Sequence, residues 1–533
     1  MRLKDYDLDV TTVKGIIARQ AALGEKVAIR FEDQAITYVE VNGTANRIAN
    51  SLKALGIGKG DVVVTYMQNS IDHILAWFGC AKLGAIWAPV NVALMPVDLA
   101  HTLRECRPAA IIMDDLLAVN YRSIREELGF KLHEIVRGAA DPAPFADFTR
   151  LLDGEDVEPE VDIHWSDPAG IIFTGGSTGL PKGVLVSNAW YLPGLYRYHE
   201  LFQPKAEDTH VSVGQLYHTI GSAVDVLAPI YWGMTTIIMR WYSTDAMLDA
   251  ITRQGANFTV MVGPIMMALM AQAKPEDAAA STLKIVATAT TGLPHEKLLA
   301  FREKFHVDTL EIYGQTETGP LGSVNQRLWD RPYHSVGKGH GWVDVAIGDP
   351  HGSMVAAGVT GEILIRNIYP STFMMGYYNR PDKFAEACRD LWFHTGDLGY
   401  LDEQGYLHFV GRMAHSIRVK GENIAAVEIE EIIMTHPAVE RAAVVGAHDA
   451  RSGDEEIQAF VKLVGGAELE PLDIIKHCEG KIAYFKVPRF VEFVEALPVS
   501  ATKNEVERHK LKEIGTQASF DRVAIGYKVR RSA

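Results

Sequence analysis

The residues whose types and spacing are best suited to chemistry in this 533-residue chain lie between positions 171 and 184. The apolar run Ile171-Ile172-Phe173 leads into a segment with four glycines, three hydroxyl residues and Lys182. Glycines let backbone N–H groups approach phosphate oxygens, hydroxyls add hydrogen-bond donors, and lysine adds a positive charge. This combination predicts a loop that binds a triphosphate. A glycine-rich turn without a ligand is the alternative.

The spacing of this loop differs from that of a Walker A loop, which requires G-x-x-x-x-G-K-[S/T]. Here Leu180-Pro181 precede Lys182, and Gly183 follows it. The sequence therefore disfavours a kinase or ATPase of the P-loop type.

The elements around the loop are predicted by short apolar runs that alternate with amphipathic helical stretches. This alternation is typical of mostly parallel sheets flanked by helices, which is an α/β fold. The predicted strands cover residues 62–67, 109–113, 236–239, 258–262 and 283–287, and a helix is predicted over 71–83.

The C-terminal part has a different pattern, which predicts a small α+β unit. We place the boundary after Arg412, with a large domain over residues 1–412 and a small domain over 413–533. The predicted strands of the small unit and its approach cover 405–411, 442–446 and 457–463, with helices over 425–434 and 472–482.

The chain resembles the adenylate-forming superfamily of acyl-CoA synthetases, peptide-synthetase adenylation domains and luciferases. Its phosphate loop, from Thr174 to Gly183, fits the superfamily pattern [S/T]-[S/G]-G-[S/T]-T-G-x-P-K-G. The resemblance covers nearly the whole chain, and residues 520–527 resemble the carnitine/crotonobetaine-CoA-ligase-like branch. The other matching segments, in the family's order, are 37–62, 215–218, 311–317, 361–363, 376–379, 392–399, 411–412 and 420–424.

The resemblance implies an ATP-dependent acyl-CoA ligase. Such an enzyme converts a carboxylate, a poor electrophile, into an acyl-adenylate with AMP as a good leaving group, and pyrophosphate is released. It then transfers the acyl group to coenzyme A. The resemblance further implies ATP, Mg²⁺ and coenzyme A as cofactors, a small-molecule carboxylic acid as the substrate, and a small C-terminal domain that rotates about a hinge.

The resemblance also implies a role for each candidate site residue. The phosphates would be held by Thr174, Gly175, Gly176, Ser177, Thr178, Gly179, Lys182 and Thr316, and Mg²⁺ by Glu317. The adenosine would lie near Tyr313, Gly314, Gln315, Asp397 and Arg412, and the pantetheine tunnel near Lys420 and Gly421. The acyl pocket would include His218, Thr291 and Gly292. Alternatives are a solvated carboxylate for Glu317, a turn residue for Asp397 and a packed core histidine for His218.

The chain departs from the family at its C-terminal motif, L-P-x-T-x-T-G-K-V-x-K, whose lysine contacts the carboxylate and the α-phosphate. Aligned from either end of residues 497–511, that lysine position falls on Glu505 or on Asn504. Two interpretations follow: Lys503 reaches the site from a lengthened loop, or adenylation is slow because the charge is missing. We favour Lys503 as the catalytic lysine. The hinge also departs, with His415 where the family often has Asp or Lys.

Two other functions stay open at this point. One is a free-standing adenylating enzyme that loads a carrier-protein thiol or oxidises the adenylate. The other is an ATP-binding protein without catalysis, which Glu505 favours. Among substrates, residues 520–527 favour a small polar or branched acid of the carnitine type, while medium-chain, aromatic and steroid acids remain candidates.

Composition and charge limit the partners. The net charge is −15 and no cluster of basic residues occurs, so we expect no nucleic-acid partner. The charged N-terminus, the absence of a long apolar segment and four widely spaced cysteines predict a cytoplasmic protein without an integral membrane segment. The oligomeric state is left open, with a homodimer as one candidate.

Overall fold

The computed structural model describes residues 10–174, 181–289, 295–324, 332, 335–339, 341–413, 416–419, 422–448, 455–484, 486–499 and 506–529. The chain folds into two compact units. The first unit comprises Met1–Ala289, Phe301–Val345 and Ile365–His394, and the second comprises Thr290–Ala300, Ala346–Leu364 and Thr395–Ala533. This division reflects which segments pack together and does not locate a hinge, so the domain boundary after Arg412 stays a prediction.

Strands and helices alternate along most of the chain. The strands are β1 (Val27–Phe31), β2 (Gln34–Thr37), β3 (Val62–Tyr66), β4 (Ile86–Pro89), β5 (Ala110–Asp114), β6 (His133–Arg137), β7 (Ala146–Asp147), β8 (Pro168–Thr174), β9 (Lys182–Ser187), β10 (Thr209–Ser212), β11 (Thr235–Ile238), β12 (Phe258–Val262), β13 (Ile285–Ala289), β14 (Asp308–Gln315), β15 (Gly319–Val324), β16 (Val343–Gly348), β17 (Gly361–Asn367), β18 (Gly376–Tyr377), β19 (Cys388–Arg389), β20 (Trp392–Leu401), β21 (Leu407–Arg412), β22 (Ser416–Val419), β23 (Glu422–Ala425), β24 (Val439–His448), β25 (Glu455–Leu463), β26 (Phe490–Phe493) and β27 (Phe520–Asp521).

The helices vary in length from one turn to almost five, and none within the described ranges is long and apolar enough to cross a membrane. A π-helix (Ile220–Leu227) directly precedes α7. The α-helices are α1 (Val13–Gln20), α2 (Tyr38–Ala54), α3 (Ile71–Leu83), α4 (Pro96–Cys106), α5 (Asp115–Ile124), α6 (Leu192–Phe202), α7 (Ala228–Tyr231), α8 (Thr244–Thr252), α9 (Gly263–Gln272), α10 (Pro275–Ala279), α11 (His295–Phe305), α12 (Pro381–Ala387), α13 (Ala426–Met434), α14 (Pro471–Cys478) and α15 (Arg508–Ile514).

Two large sheets form the framework of the first unit, and the described strands give each of them eight members. One has the order β15-β14-β13-β12-β10-β11-β1-β2, with parallel pairs from β14 to β1 and antiparallel pairs at both edges. The other has the order β18-β9-β8-β4-β3-β5-β6-β7, which is parallel from β8 to β7 and antiparallel at β9 and β18. The predicted α/β fold with mostly parallel sheets is confirmed.

The strand β3 and the helix α3 show how the sequence specifies this layering. Every residue of β3 is buried, as a continuous apolar run predicts for a central parallel strand. Ser70 caps α3 by accepting a hydrogen bond from the His73 backbone N–H at 3.2 Å. Gly84 ends the helix in the left-handed conformation, at a φ of +73°. The helix predicted over 71–83 is therefore confirmed.

The C-terminal part of the second unit is a small α+β structure with its own core. Its sheet has the order β24-β25-β26-β27, and α13 and α14 contribute Ile429, Ile433, Ile474 and Ile475 to the buried cluster beside it. The helix predicted over 472–482 ends earlier, at Cys478, and Gly480 follows with a φ of +76°. The strand predicted over 405–411 begins only at Leu407.

A buried ion pair fastens α15 to this core. Glu430 of α13 is 5% exposed and accepts hydrogen bonds from the Arg508 guanidinium at 2.6 and 2.8 Å and from the Val444 N–H at 2.7 Å. On the same helix Glu428 binds Lys486 at 2.7 Å, but in a far more exposed position. The two ion pairs can therefore be compared directly, since both involve a glutamate of α13 and they differ in burial.

We expect Glu430→Gln to lower the free energy of unfolding of the C-terminal part by about 2–3 kcal/mol, because a buried charge-assisted hydrogen bond is lost. Glu428→Gln should cost less than about 1 kcal/mol, since exposed ion pairs contribute little. Chemical denaturation of both full-length variants measures the two losses. Equal losses would contradict the prediction.

Candidate active site

The predicted phosphate loop connects two paired strands. β8 ends at Thr174 and β9 begins at Lys182, and these two residues are cross-strand partners in an antiparallel pair. The Thr174 hydroxyl donates to the Lys182 carbonyl at 3.4 Å. The loop's ends are therefore fixed by a β-ladder, while the predicted binding residues Gly175, Gly176, Ser177, Thr178 and Gly179 lie outside the described residues.

Lys182 lies over the ring of Tyr377, with its Nζ 5.2 Å from the ring centroid. Tyr377 reaches this position because the short strand β18 pairs with β9, which places Tyr377 opposite Val184. An ammonium group is attracted to the face of an aromatic ring. The contact orients the lysine that the sequence assigns to the phosphates.

The hydroxyl of the same tyrosine binds the predicted metal ligand. Tyr377 donates to Glu317 Oε1 at 2.9 Å, and the Glu317 carbonyl accepts from the Met374 N–H at 3.0 Å. Burial is the main cause that raises the pKa of Tyr377 above its usual range, and the neighbouring Glu317 carboxylate raises it further. The phenol therefore keeps its proton and stays a hydrogen-bond donor. Lys182, Tyr377 and Glu317 thus form one contiguous cluster, which we call the lysine–tyrosine–glutamate cluster.

Glu317 and Thr316 lie in a single 3₁₀ turn, Thr316–Thr318, between β14 and β15. The chain leaves the buried part of β14 at Tyr313, which is 7% exposed, and then passes Gly314. A Cβ on Gly314 would lie 3.0 Å from the Gly322 nitrogen and from the Pro320 oxygen, so a side chain here would require the facing backbone to move apart. Gln315 and Thr318 close the turn with a hydrogen bond from the Thr318 hydroxyl to the Gln315 carbonyl at 3.2 Å.

Thr316 is held at two points. The indole N–H of Trp190 donates to its carbonyl at 2.9 Å, and its hydroxyl lies 3.0 Å from the hydroxyl of Thr219. Thr219 directly precedes the π-helix and is almost fully buried. The side chain predicted to bind the α-phosphate therefore has a fixed direction.

The Glu317 carboxylate suits Mg²⁺ as an oxygen ligand. This ion prefers oxygen ligands and is usually held by one or two carboxylates together with substrate phosphates and water. Within the described ranges, no group of three or more His, Cys, Asp or Glu side chains is arranged to hold a metal. A single carboxylate at Glu317, next to a triphosphate loop, fits an ion that shares its coordination shell with the nucleotide.

Asp397 and Arg412, both in the second unit, form a pair on adjacent strands. They are cross-strand partners of β20 and β21, with 3.2 Å between Arg412 Nε and Asp397 Oδ1. Asp397 is 2% exposed, whereas the Arg412 side chain is 42% exposed. The preceding Gly396 has a φ of +69°, and its N–H donates to Glu362 at 3.0 Å. An ordered carboxylate beside an accessible guanidinium suits a ligand with several hydroxyl groups.

His218 is partly buried at the turn before the π-helix. Its backbone N–H donates to the Gln215 carbonyl at 2.9 Å, and its ring centroid lies 4.6 Å from that of Tyr217. Both interpretations of this residue, pocket wall or packed histidine, fit these contacts. The other predicted acyl-pocket residues, Thr291 and Gly292, lie outside the described residues, as do Lys420, Gly421, His415 and Lys503.

Sequence reasoning missed the contribution of Tyr377, Trp190 and Thr219. Tyr377 belongs to a segment, 376–379, that matches the family, but nothing in the sequence places its ring under Lys182 or its hydroxyl on Glu317. Trp190 and Thr219 act on Thr316 from positions that are about a hundred residues or more away in the chain. No local sequence signal could have identified these two.

Two family models and several curated relatives match most of this chain. The model of the AMP-binding enzyme family matches residues 17–378, and the model of the AMP-binding enzyme C-terminal domain matches residues 428–505. The chain is 31% identical over 500 residues to the crotonobetaine/carnitine–CoA ligase of Proteus mirabilis, covering 91% of this chain and 96% of the relative. It is 32% identical over 492 residues to the ligase of the same name from Shigella dysenteriae, covering 89% and 94%.

Solved structures share the fold over almost the full length. The anthranilate CoA ligase AuaEII in complex with anthranoyl-AMP superposes with a TM-score of 0.89 at 26% identity, covering 99% of this chain and 100% of that one. ATP-bound MatB from Rhodopseudomonas palustris gives a TM-score of 0.84 at 25% identity, with coverages of 94% and 99%. The family models span most of the sequence and include the lysine–tyrosine–glutamate cluster, and the chain therefore belongs to the AMP-binding enzyme family, among its AMP-forming acid–thiol ligases.

Proposed function

We propose that this ligase activates a small polar or branched carboxylic acid of the carnitine type. It adenylates a carboxylic acid with ATP and transfers the acyl group to coenzyme A. The proposal of the acid class is supported by 31–32% identity to crotonobetaine/carnitine–CoA ligases over about nine-tenths of the chain. These relatives do not favour the carrier-loading enzyme or the inactive ATP-binding protein.

The observation that carries the mechanism is the lysine–tyrosine–glutamate cluster. In the first step a carboxylate oxygen attacks the α-phosphorus, the bond to the β-phosphate oxygen breaks, and pyrophosphate leaves. Two anions must meet, so fixed positive charge and hydrogen-bond donors have to offset their repulsion. Lys182 supplies a charge at the end of the phosphate loop, and Tyr377 orients it by the ring contact at 5.2 Å.

Glu317 is the proposed ligand of Mg²⁺, with the Thr316 hydroxyl beside it on the same turn. When bound, the ion neutralises phosphate charge. Tyr377 donates a hydrogen bond to Oε1 of Glu317 and thereby fixes the direction of the second carboxylate oxygen. The tyrosine keeps the carboxylate in one orientation before the nucleotide arrives.

The remaining roles are proposals from the family motifs. Asp397 and Arg412 would bind the ribose hydroxyls, which suits their buried carboxylate and accessible guanidinium. In the second step the thiolate of coenzyme A attacks the acyl carbon, and AMP leaves with the former carboxylate oxygen. The adenine is proposed to lie near Tyr313, Gly314 and Gln315, the acid near His218, Thr291 and Gly292, and the coenzyme A arm near Lys420 and Gly421.

An aromatic acid is the second candidate, because the structural relative with a TM-score of 0.89 is an anthranilate CoA ligase. Cytoplasmic location and a homodimer stay predictions made from the sequence.

The function is tested by incubating the protein with ATP, Mg²⁺ and a panel of acids, with and without coenzyme A. We expect an acid of the carnitine type to give AMP and pyrophosphate, and acyl-CoA only when coenzyme A is present. Chromatography of nucleotides and thioesters measures the products. An aromatic acid turned over faster than every small polar or branched acid would replace the proposed substrate class. ATP binding without pyrophosphate release from any acid would overturn the ligase proposal.

We expect Tyr377→Phe to lower the rate of ATP–pyrophosphate exchange by roughly tenfold, because loss of a hydrogen bond to a charged group costs about 1.5 kcal/mol. The ring below Lys182 is retained, so the change isolates the bond to Glu317. The mutation should also raise the Mg²⁺ concentration required for half-maximal exchange. The neighbouring Tyr378→Phe is the matched control and should leave both values unchanged. If the control lost as much exchange as Tyr377→Phe, the specific role of Tyr377 would be excluded.

Lys503→Ala tests the displaced lysine. Removing a charge that stabilises the transition state should reduce adenylation by roughly a hundredfold. Transfer from a supplied acyl-adenylate to coenzyme A should continue at the wild-type rate, because that step is assigned to a different face of the small domain. Lys510→Ala, whose ammonium binds Glu507 on the surface, is the control. Unchanged adenylation in Lys503→Ala would rule this lysine out.

A further inference from the structure

A buried polar network lies against the π-helix Ile220–Leu227. Asp225 of this helix is 0% exposed, and its two carboxylate oxygens lie 2.9 Å from His210 Nε2 and 3.0 Å from Ser212 Oγ on β10. The second ring nitrogen of His210 lies 2.9 Å from the hydroxyl of Tyr198 on α6. None of these four side chains has a role in the mechanism above, although burying an aspartate is costly unless its partners are in place.

The protons of this network can be placed. Burial raises the pKa of Tyr198, so its hydroxyl keeps its proton and can donate to Nδ1 of His210. Nε2 of His210 then carries the ring proton and donates to Asp225, while the Ser212 hydroxyl donates to the other oxygen. In this arrangement each of the four side chains from Tyr198 to Asp225 has a hydrogen-bond partner within the network.

The backbone of the π-helix is held as well. The Thr236 hydroxyl of β11 donates to the Asp225 carbonyl at 2.8 Å. Near the start of the helix, a Cβ on Gly221 would lie 2.1 Å from the Gln215 oxygen, so the turn packs directly on the helix. π-Helices are rare and frequently occur at functional sites. The helix is therefore held to the sheet at Asp225 and packs on the turn at Gln215 near its start.

The residue before this helix, Thr219, contacts the active-site turn. Its hydroxyl lies 3.0 Å from that of Thr316. A hydroxyl has a single proton to donate. If Thr316 donates its proton to the α-phosphate, it must accept from Thr219, and this fixes the direction of the Thr316 proton.

We propose that Asp225 is a positioning residue for adenylation, because through His210 and Ser212 it fixes the π-helix so that the Thr219 hydroxyl donates to Thr316. The inference rests on the proposed function, since the bond from Thr316 to the α-phosphate belongs to that function. Asp225 itself touches no substrate in this arrangement.

The proposal is tested by a double-mutant cycle of Thr219→Val and Asp225→Asn in the full-length protein. Each single change should lower kcat for ATP–pyrophosphate exchange roughly three- to tenfold, with the KM of the acid unchanged, which is the size expected for one hydrogen bond. The double variant should fall no further than the slower single variant, within about twofold, because both changes remove the same bond. Thr219→Ser keeps the hydroxyl and should retain the wild-type rate.

The control is Thr102→Val, a buried threonine whose hydroxyl donates to the Asp98 carbonyl of its own helix, and it should leave kcat unchanged. If the losses in the double variant multiply, or if Asp225→Asn has the wild-type kcat, the proposal is overturned. Should Asp225→Asn fail to fold, Ser212→Ala takes its place in the cycle with the same expected non-additivity.

The Kd of ATP is also measured by calorimetric titration for the wild-type protein, the two single variants and the double variant, so that the test does not depend on turnover. If the wild-type protein binds ATP but exchanges pyrophosphate with no acid, the proposed function fails, and the ATP Kd decides the positioning role by the same criterion. Non-additive Kd values support it, and multiplicative values overturn it. A wild-type protein that binds no ATP overturns both.

Discussion

The pairing of β18 with β9 is the constraint on which the candidate active site of the first unit depends. Strand β9 returns from the phosphate loop beside β8, and β18 adds a further strand to its free edge, with Tyr377 opposite Val184. The two residues before β18 also form hydrogen bonds on both sides, since the Met375 N–H donates to the Leu185 carbonyl and the Met374 N–H donates to the Glu317 carbonyl. One short strand therefore connects the lysine of the loop to the carboxylate of a turn that belongs to the other large sheet.

The electrostatic consequence is that opposite charges are kept close without neutralising each other directly. The ring of Tyr377 attracts the Lys182 ammonium, and its hydroxyl donates to the Glu317 carboxylate. The contact with Tyr377 saturates neither group, because lysine has three donor protons and a carboxylate has four lone-pair sites. A direct ion pair would have to be broken before the nucleotide and its metal ion could bind. An aromatic bridge orients both groups at a smaller cost.

Part of the fold could be predicted because its signals are local. The helix over 71–83 and the strands β3, β5, β11, β12 and β13 depend on apolar periodicity and caps, and Thr316 and Glu317 are candidates because they belong to a contiguous motif. Predictions were less accurate at the ends of elements. The helix that ends at Cys478 is followed by a glycine with positive φ, and apolar residues beyond that point pack on the core without continuing the helix.

The sequence by itself determined the fold class, the family and the residue types predicted to meet ATP, because the chemistry of the phosphates calls for glycines, hydroxyls, a lysine and carboxylates at fixed spacing. Only the tertiary structure decided what orients them. Tyr377 lies 60 residues from Glu317, and Thr219 lies 97 residues from Thr316. The buried pair of His210 and Asp225 shows no motif and became apparent only where β10 and the π-helix pack together. The physical reason is that reactive groups are recognisable by their own chemistry, whereas the groups that position them are defined by long-range packing.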